Sequence, residues 1–132
     1  MTLEANVLRP DALRAIREGY EVGIRLAWYR SLPLSCVEGV SVTVDGRAPE
    51  PGDLRLRHGG RELCLDDLAD RVDDWWFVQD PLPVVVPHPD PKRPGSTAHV
   101  EVVLVLRIPC IVVGPNTALV RPTHVEREVI VR

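Results

Sequence analysis

No apolar run in this 132-residue sequence approaches the length of a membrane span. The longest, such as Val102 to Leu106, fall far short of the roughly 18 residues that crossing a bilayer takes. The opening Met1-Thr2-Leu3-Glu4 lacks the basic-then-apolar pattern of a secretion signal, so a cytoplasmic address is expected. Cysteine is scarce and odd in number. Cys36, Cys64 and Cys110 stand far apart, which argues against both a disulfide framework and a zinc knuckle and leaves free, mostly buried thiols. Lysine occurs once, and the fifteen arginines are interleaved with acids for a net charge of −3. Without a basic stripe, nucleic acid is not an expected partner.

What is plentiful is proline, thirteen in all. Each fixes φ and removes a backbone donor, which favours short strands over long helices. Val22, Ile24, Leu26 and Trp28 alternate with Gly23, Arg25 and Ala27, as on a half-buried strand. Val40-Ser41-Val42-Thr43-Val44 repeats the pattern and runs into Asp45-Gly46, a pair suited to a tight turn. His58-Gly59-Gly60 between Leu54–Arg57 and Arg61–Leu65 predicts a second hairpin. Val100 to Ile108 is the longest alternating stretch, and Val125 to Val131 reads as the last strand. Asp11 to Glu18 suits either a helix or a strand, with strand preferred because Glu18-Gly19 fits a turn before Tyr20. Asp66 to Asp70 suits a short helical turn capped by Asp66. The segment from Pro81 to Pro94 holds six prolines and is expected to be a surface loop outside any central sheet. The length fits one domain over residues 1–132, an all-β antiparallel β-sandwich of jelly-roll-like form with at most one or two short helical turns.

No catalytic set is visible. His58, His88, His99 and His124 stand singly in the sequence, without His-x-His spacing, and the aspartates of 66–74 lack the alternation of a calcium loop. The chain is therefore expected to bind no metal of its own. The aromatics say more, because five of six fall in Trp28-Tyr29 and Trp75-Trp76-Phe77. Strand neighbours point to opposite faces, so each segment should present one large ring outward. Pro33 stops a ladder, and the stretch that precedes and follows it combines rings, an arginine and leucines, a composition typical of a desolvated interface. Trp28, Tyr29, Arg30, Leu32, Pro33, Leu34, Trp75 and Trp76 are the expected partner interface.

Ile24 to Ser35 resembles the IRL-x-YYRGLPLS segment of C-glycoside deglycosidase β subunits. The resemblance continues through Val42–Gly46, Leu65–Ala69, Trp75-Trp76-Phe77 and the strand from His99 to Ile108. Trp28 stands where a tyrosine is commoner, Ser31 replaces a glycine, and Cys110 follows Pro109 where an aromatic is usual. The resemblance implies a hetero-oligomer with an α subunit of the sugar-phosphate isomerase/epimerase type, a TIM barrel holding a divalent metal, usually manganese. It also implies a carbon–carbon lyase reaction on 3-oxo-C-glucosides of aromatic aglycones, with base and metal on the α subunit. The alternative is a free-standing carbohydrate-binding sandwich with exposed aromatics.

Overall fold

The computed structural model describes residues 6–132, apart from the side chains of Pro51 and Cys110. The expectations for Met1–Glu4 and for the Cys110 thiol lie outside the described residues. Ten strands account for most of the described residues. They are β1 (Leu13–Ile16), β2 (Gly19–Ile24), β3 (Leu32–Pro33), β4 (Val37–Val44), β5 (Arg55–His58), β6 (Arg61–Leu63), β7 (Trp75–Trp76), β8 (Leu82–Pro87), β9 (Thr97–Gly114) and β10 (Thr117–Ile130). All pairings are antiparallel, in a five-stranded sheet β1-β2-β8-β5-β6, a three-stranded sheet β10-β9-β4 and a small ladder β3-β7. Within residues 11–18, Leu13–Ile16 form strand β1, which pairs with β2 as far as Ile16↔Gly19. The only helical pieces among the described residues are short 3₁₀ turns, and no helix is long and apolar enough to cross a membrane.

Alternation explains how the sheets meet. On β9, Val100, Val102, Leu104, Leu106 and Ile108 are fully buried, and β4 contributes Val40, Val42 and Val44 to the same core. From the other sheet come Leu13, Tyr20, Val22, Ile24, Leu56, Leu63, Val84 and Val86, and all of these form one cluster. Two inner faces sharing one cluster make the sandwich that period-2 patterning predicts. The two-residue turn Gly59-Gly60 joins β5 to β6 with both φ angles positive, at 58° and 78°. Such a conformation is open to glycine without a Cβ clash.

Three expectations are corrected. β8, which includes Pro83 and Pro87, is the middle strand of the five-stranded sheet, not a surface loop. The Gly23 N–H bonds Ala12 O, so alternate residues of β2 face β1, and Leu82, Val84 and Val86 are left to bond β2. Pro83 and Pro87 then point their missing donors towards β5, which pairs only with Val84 and Val85. The prolines thus flank the stretch where a donor is needed. The last strand begins at Thr117, not Val125. Pro122 is tolerated because β10 is an edge strand. The 3₁₀ turn Leu65–Asp70 is capped through Asp67, whose carboxylate accepts the Cys64 N–H at 2.9 Å, and not through Asp66. Cys36 is buried and Cys64 half-buried, both as free thiols.

Candidate partner interface

The two aromatic segments, far apart in sequence, meet in the β3–β7 ladder, where Leu32 opposes Trp76 and Pro33 opposes Trp75. Hydrogen bonds continue the join, one between backbones from Leu34 N–H to Asp74 O at 2.7 Å and one from Val78 N–H to the Ser31 hydroxyl at 2.8 Å. Strand parity then sorts the side chains. Leu32, Leu34 and Trp76 turn into the core, and the Trp76 indole N–H donates to Asp80 O at 3.0 Å. Leu32, Leu34 and Trp76, expected at the partner interface, thus belong to the buried cluster of this chain.

The outward set is different. Tyr29 is 74% exposed, Phe77 51% and Trp75 44%, with Arg30 and Val78 exposed beside them and Pro33 half-buried. Trp28 is half-buried, its ring 5.4 Å from that of Tyr29 and beneath the Arg121 guanidinium at 6.0 Å. Trp28 and Val78 share a concavity with Arg25 and Gln79, while Trp75 and Phe77 line a hollow of about 460 Å³ with Arg57 and His58.

Arg121 belongs to β10 and connects this aromatic patch to a second exposed surface. β4 pairs with β9 only as far as Leu106. Beyond that point β9 and β10 continue as a two-stranded ribbon, turning at Pro115-Asn116 with φ of 53° at Asn116. No charged residue occurs from Ile108 to Val120. Ile111, Val112, Val113 and Val120 are exposed there, two of them above 60%. A two-stranded ribbon without a third strand or a covering layer is marginally stable in water, so an apolar arm of this kind gains most from burial on another surface. The sequence reading missed the arm because Pro109 and Gly114 interrupt the alternation on which it relied.

The histidines do not stand singly in space. On the outer face of the β9–β10 ribbon, His124 Nε2 lies 2.8 Å from Glu101 Oε1 and His99 Nε2 lies 3.4 Å from Glu126 Oε2. His88 stacks edge-on against Tyr20 and His58 Nε2 donates to Trp75 O at 2.7 Å. Next to His99, burial pushes the Asp45 carboxyl up. The His99 backbone N–H and the Lys92 ammonium, 3.0 Å away, outweigh that and hold it below its ordinary value.

Residues 3–110 match the family model for the C-glycoside deglycosidase beta subunit. The chain is 36% identical over 118 residues to a C-glycoside deglycosidase beta subunit of Microbacterium trichothecenolyticum, covering 89% of this chain and 84% of that protein. It is 37% identical over 126 residues to a 3'-dehydrocarminate deglycosidase beta subunit of a Microbacterium species, covering 92% and 90%. A C-glycoside deglycosidase beta subunit of Arthrobacter globiformis is 32% identical over 130 residues, 98% of each chain.

Proposed function

This chain belongs to the C-glycoside deglycosidase β-subunit family, and from that premise we propose that it is the non-catalytic β subunit of a heteromeric C-glycoside deglycosidase. The match across nearly the whole chain carries the reading, because the relatives it covers over 90% or more of their length are themselves named beta subunits. Its partner is a TIM-barrel α subunit of the sugar-phosphate isomerase/epimerase type holding a divalent metal, manganese being the usual ion. The reaction opens the carbon–carbon bond between a 3-oxo-glucosyl unit and an aromatic aglycone. A 3-oxo group acidifies the neighbouring C–H, and a base on the α subunit takes that proton. The resulting electron pair forms a C–C double bond in the sugar as the bond to the aryl carbon breaks, and the departing aryl carbon takes up a proton. The β chain supplies the surface that seats and steadies that subunit, in the cytoplasm.

The docking surface is the patch of Trp28, Tyr29, Arg30, Pro33 and Trp75, extended through Arg121 onto the apolar arm. Exposed tyrosine, tryptophan and arginine beside an uncharged ribbon match the core of a heteromeric interface better than a solvated face. Co-expression with the α subunit tests the reading. The two chains should co-purify and together turn over a 3-oxo-C-glucoside, whereas turnover by the β chain alone, or failure of the chains to associate, would overturn it.

The hollow lined by Trp75, Phe77, Arg57 and His58 favours a second reading, a carbohydrate-binding module acting alone. Saturable binding of glucosides to the isolated chain, abolished in Trp75→Ala, separates that reading from the first.

A further inference from the structure

The ribbon formed by β9 and β10 carries a constellation with no place in the partner interface. Cross-strand register sets Glu126 directly opposite Glu101, and His124, two residues along β10, falls on the same outer face. One donor atom from each of Glu101, His124 and Glu126 lies within 4.8 Å of the others. We propose that these three side chains form a divalent-cation site of the zinc type, with His99 as the positioning residue that orients the Glu126 carboxylate.

The donor set suits that ion. Zinc takes imidazole nitrogen and carboxylate oxygen at about 2.0–2.2 Å, which puts tetrahedral donors roughly 3.3–3.6 Å apart. His124 Nε2 and Glu101 Oε1 stand closer than that, at 2.8 Å, and every donor pair lies within 4.8 Å. The side chains are partly exposed, which leaves their rotamers room to adjust to an ion. His99 Nε2 approaches Glu126 Oε2 at 3.4 Å, the arrangement by which a second group aligns a ligating carboxylate.

Electrostatics gives the cation a purpose. Carboxylates directly opposed on neighbouring strands repel, and here two of them share one face. A dication held between them compensates both carboxylates at once. The ligands lie on both strands of one continuous hairpin, so the ion would also clamp β9 to β10 below the exposed arm. Sequence reading set both histidines aside because the H-x-E spacings His99–Glu101 and His124–Glu126 are brought together only by strand register.

The test uses the full-length chain without a histidine tag, stripped with a chelator and titrated with zinc chloride by calorimetry. The expected result is one equivalent bound, with Glu101→Gln and His124→Gln each weakening binding at least tenfold and Asp66→Asn leaving it unchanged. In ¹⁵N-labelled wild-type chain, zinc should move the imidazole signals of His124 and saturate at one equivalent, while those of His88 stay in place. That measurement decides the matter even if a variant folds poorly. No saturable uptake by the wild type, an unmoved His124 signal, or wild-type affinity in either Glu101→Gln or His124→Gln would each overturn the proposal. None of these outcomes depends on the α subunit or on lyase activity.

Discussion

The Tyr20 phenol oxygen accepts the backbone N–H of Lys92 at 2.6 Å and so fastens the proline-rich segment after β8 to the middle of the sandwich. Tyr20 is buried, and the edge of its ring meets His88 at 5.4 Å. Tyr20→Phe keeps the ring packing but leaves the partly buried Lys92 donor without its acceptor. The expected cost is about 1–2 kcal/mol in urea unfolding, with the m-value unchanged. A loss of 3 kcal/mol or more would mean that the ring packing itself had been disturbed.

Gly19 begins β2 at φ of +148°, and a Cβ there would run into the Val86 carbonyl oxygen and the His88 nitrogen, both backbone atoms unable to swing aside. Gly19→Ala should therefore destabilise the fold by about 3 kcal/mol or more, combining backbone strain with a clash between β2 and β8. Gly60, at φ of +78° with open space around it, provides the comparison. Gly60→Ala should cost only about 1 kcal/mol. Thermal melts of the two variants side by side separate close approach from turn conformation.

Which features could be read in advance follows from the range over which each is determined. Alternation in Val100–Ile108 and the glycine pair after His58 depend on a few neighbouring residues, and both appear where the sequence puts them. The place of Pro83 and Pro87 depends on which side of β8 faces β5, a matter of register between distant segments, and proline content alone misjudged it. The aromatic segments were found, and strand parity correctly implied that Trp75 and Trp76 face opposite ways. Parity could not say which of them turned inward, because that is set by the pairing of β7 with β3. The arm and the His124–Glu101 contact escaped notice for the same reason: each is a property of β10 lying against β9.

Asp45 gives the fold a small acid sensitivity. Its folded carboxyl is held below the ordinary value of 3.8, so it contributes stability that is present above that value and is lost as the pH falls through the lower folded one. Asp45→Asn removes this dependence and still suits the positive φ of 50° at the turn. Urea midpoints measured at pH 7 and at pH 3 should therefore converge slightly in the variant relative to wild type. An identical pH response in both proteins would show that the Lys92 and His99 contacts do not hold the carboxylate in solution.

The final prediction sets surface against core within the meeting place of β3 and β7. Tyr29 and Arg30 are exposed and make no contribution to the buried cluster, so replacing both by alanine should leave the urea midpoint of the isolated chain nearly unchanged. If they anchor the α subunit, the same change should weaken association by about 2 kcal/mol or more, close to thirtyfold in Kd. Trp76 stands one ladder away but is 2% exposed with its indole N–H bonded to Asp80. Trp76→Ala should cost about 3–5 kcal/mol of stability before any question of binding arises. On the arm, Val112→Glu and Val113→Glu place charge on residues that are 68% and 61% exposed, so neither should disturb folding. Both should impair association, because a partner that covers the arm would have to bury an unpaired carboxylate. Calorimetry of the four variants with the α subunit, beside urea melts of each chain alone, distinguishes the roles. Wild-type affinity in both arm variants would remove the ribbon from the interface and leave the aromatic patch to stand alone, and wild-type affinity in the Tyr29 and Arg30 double variant would remove the patch.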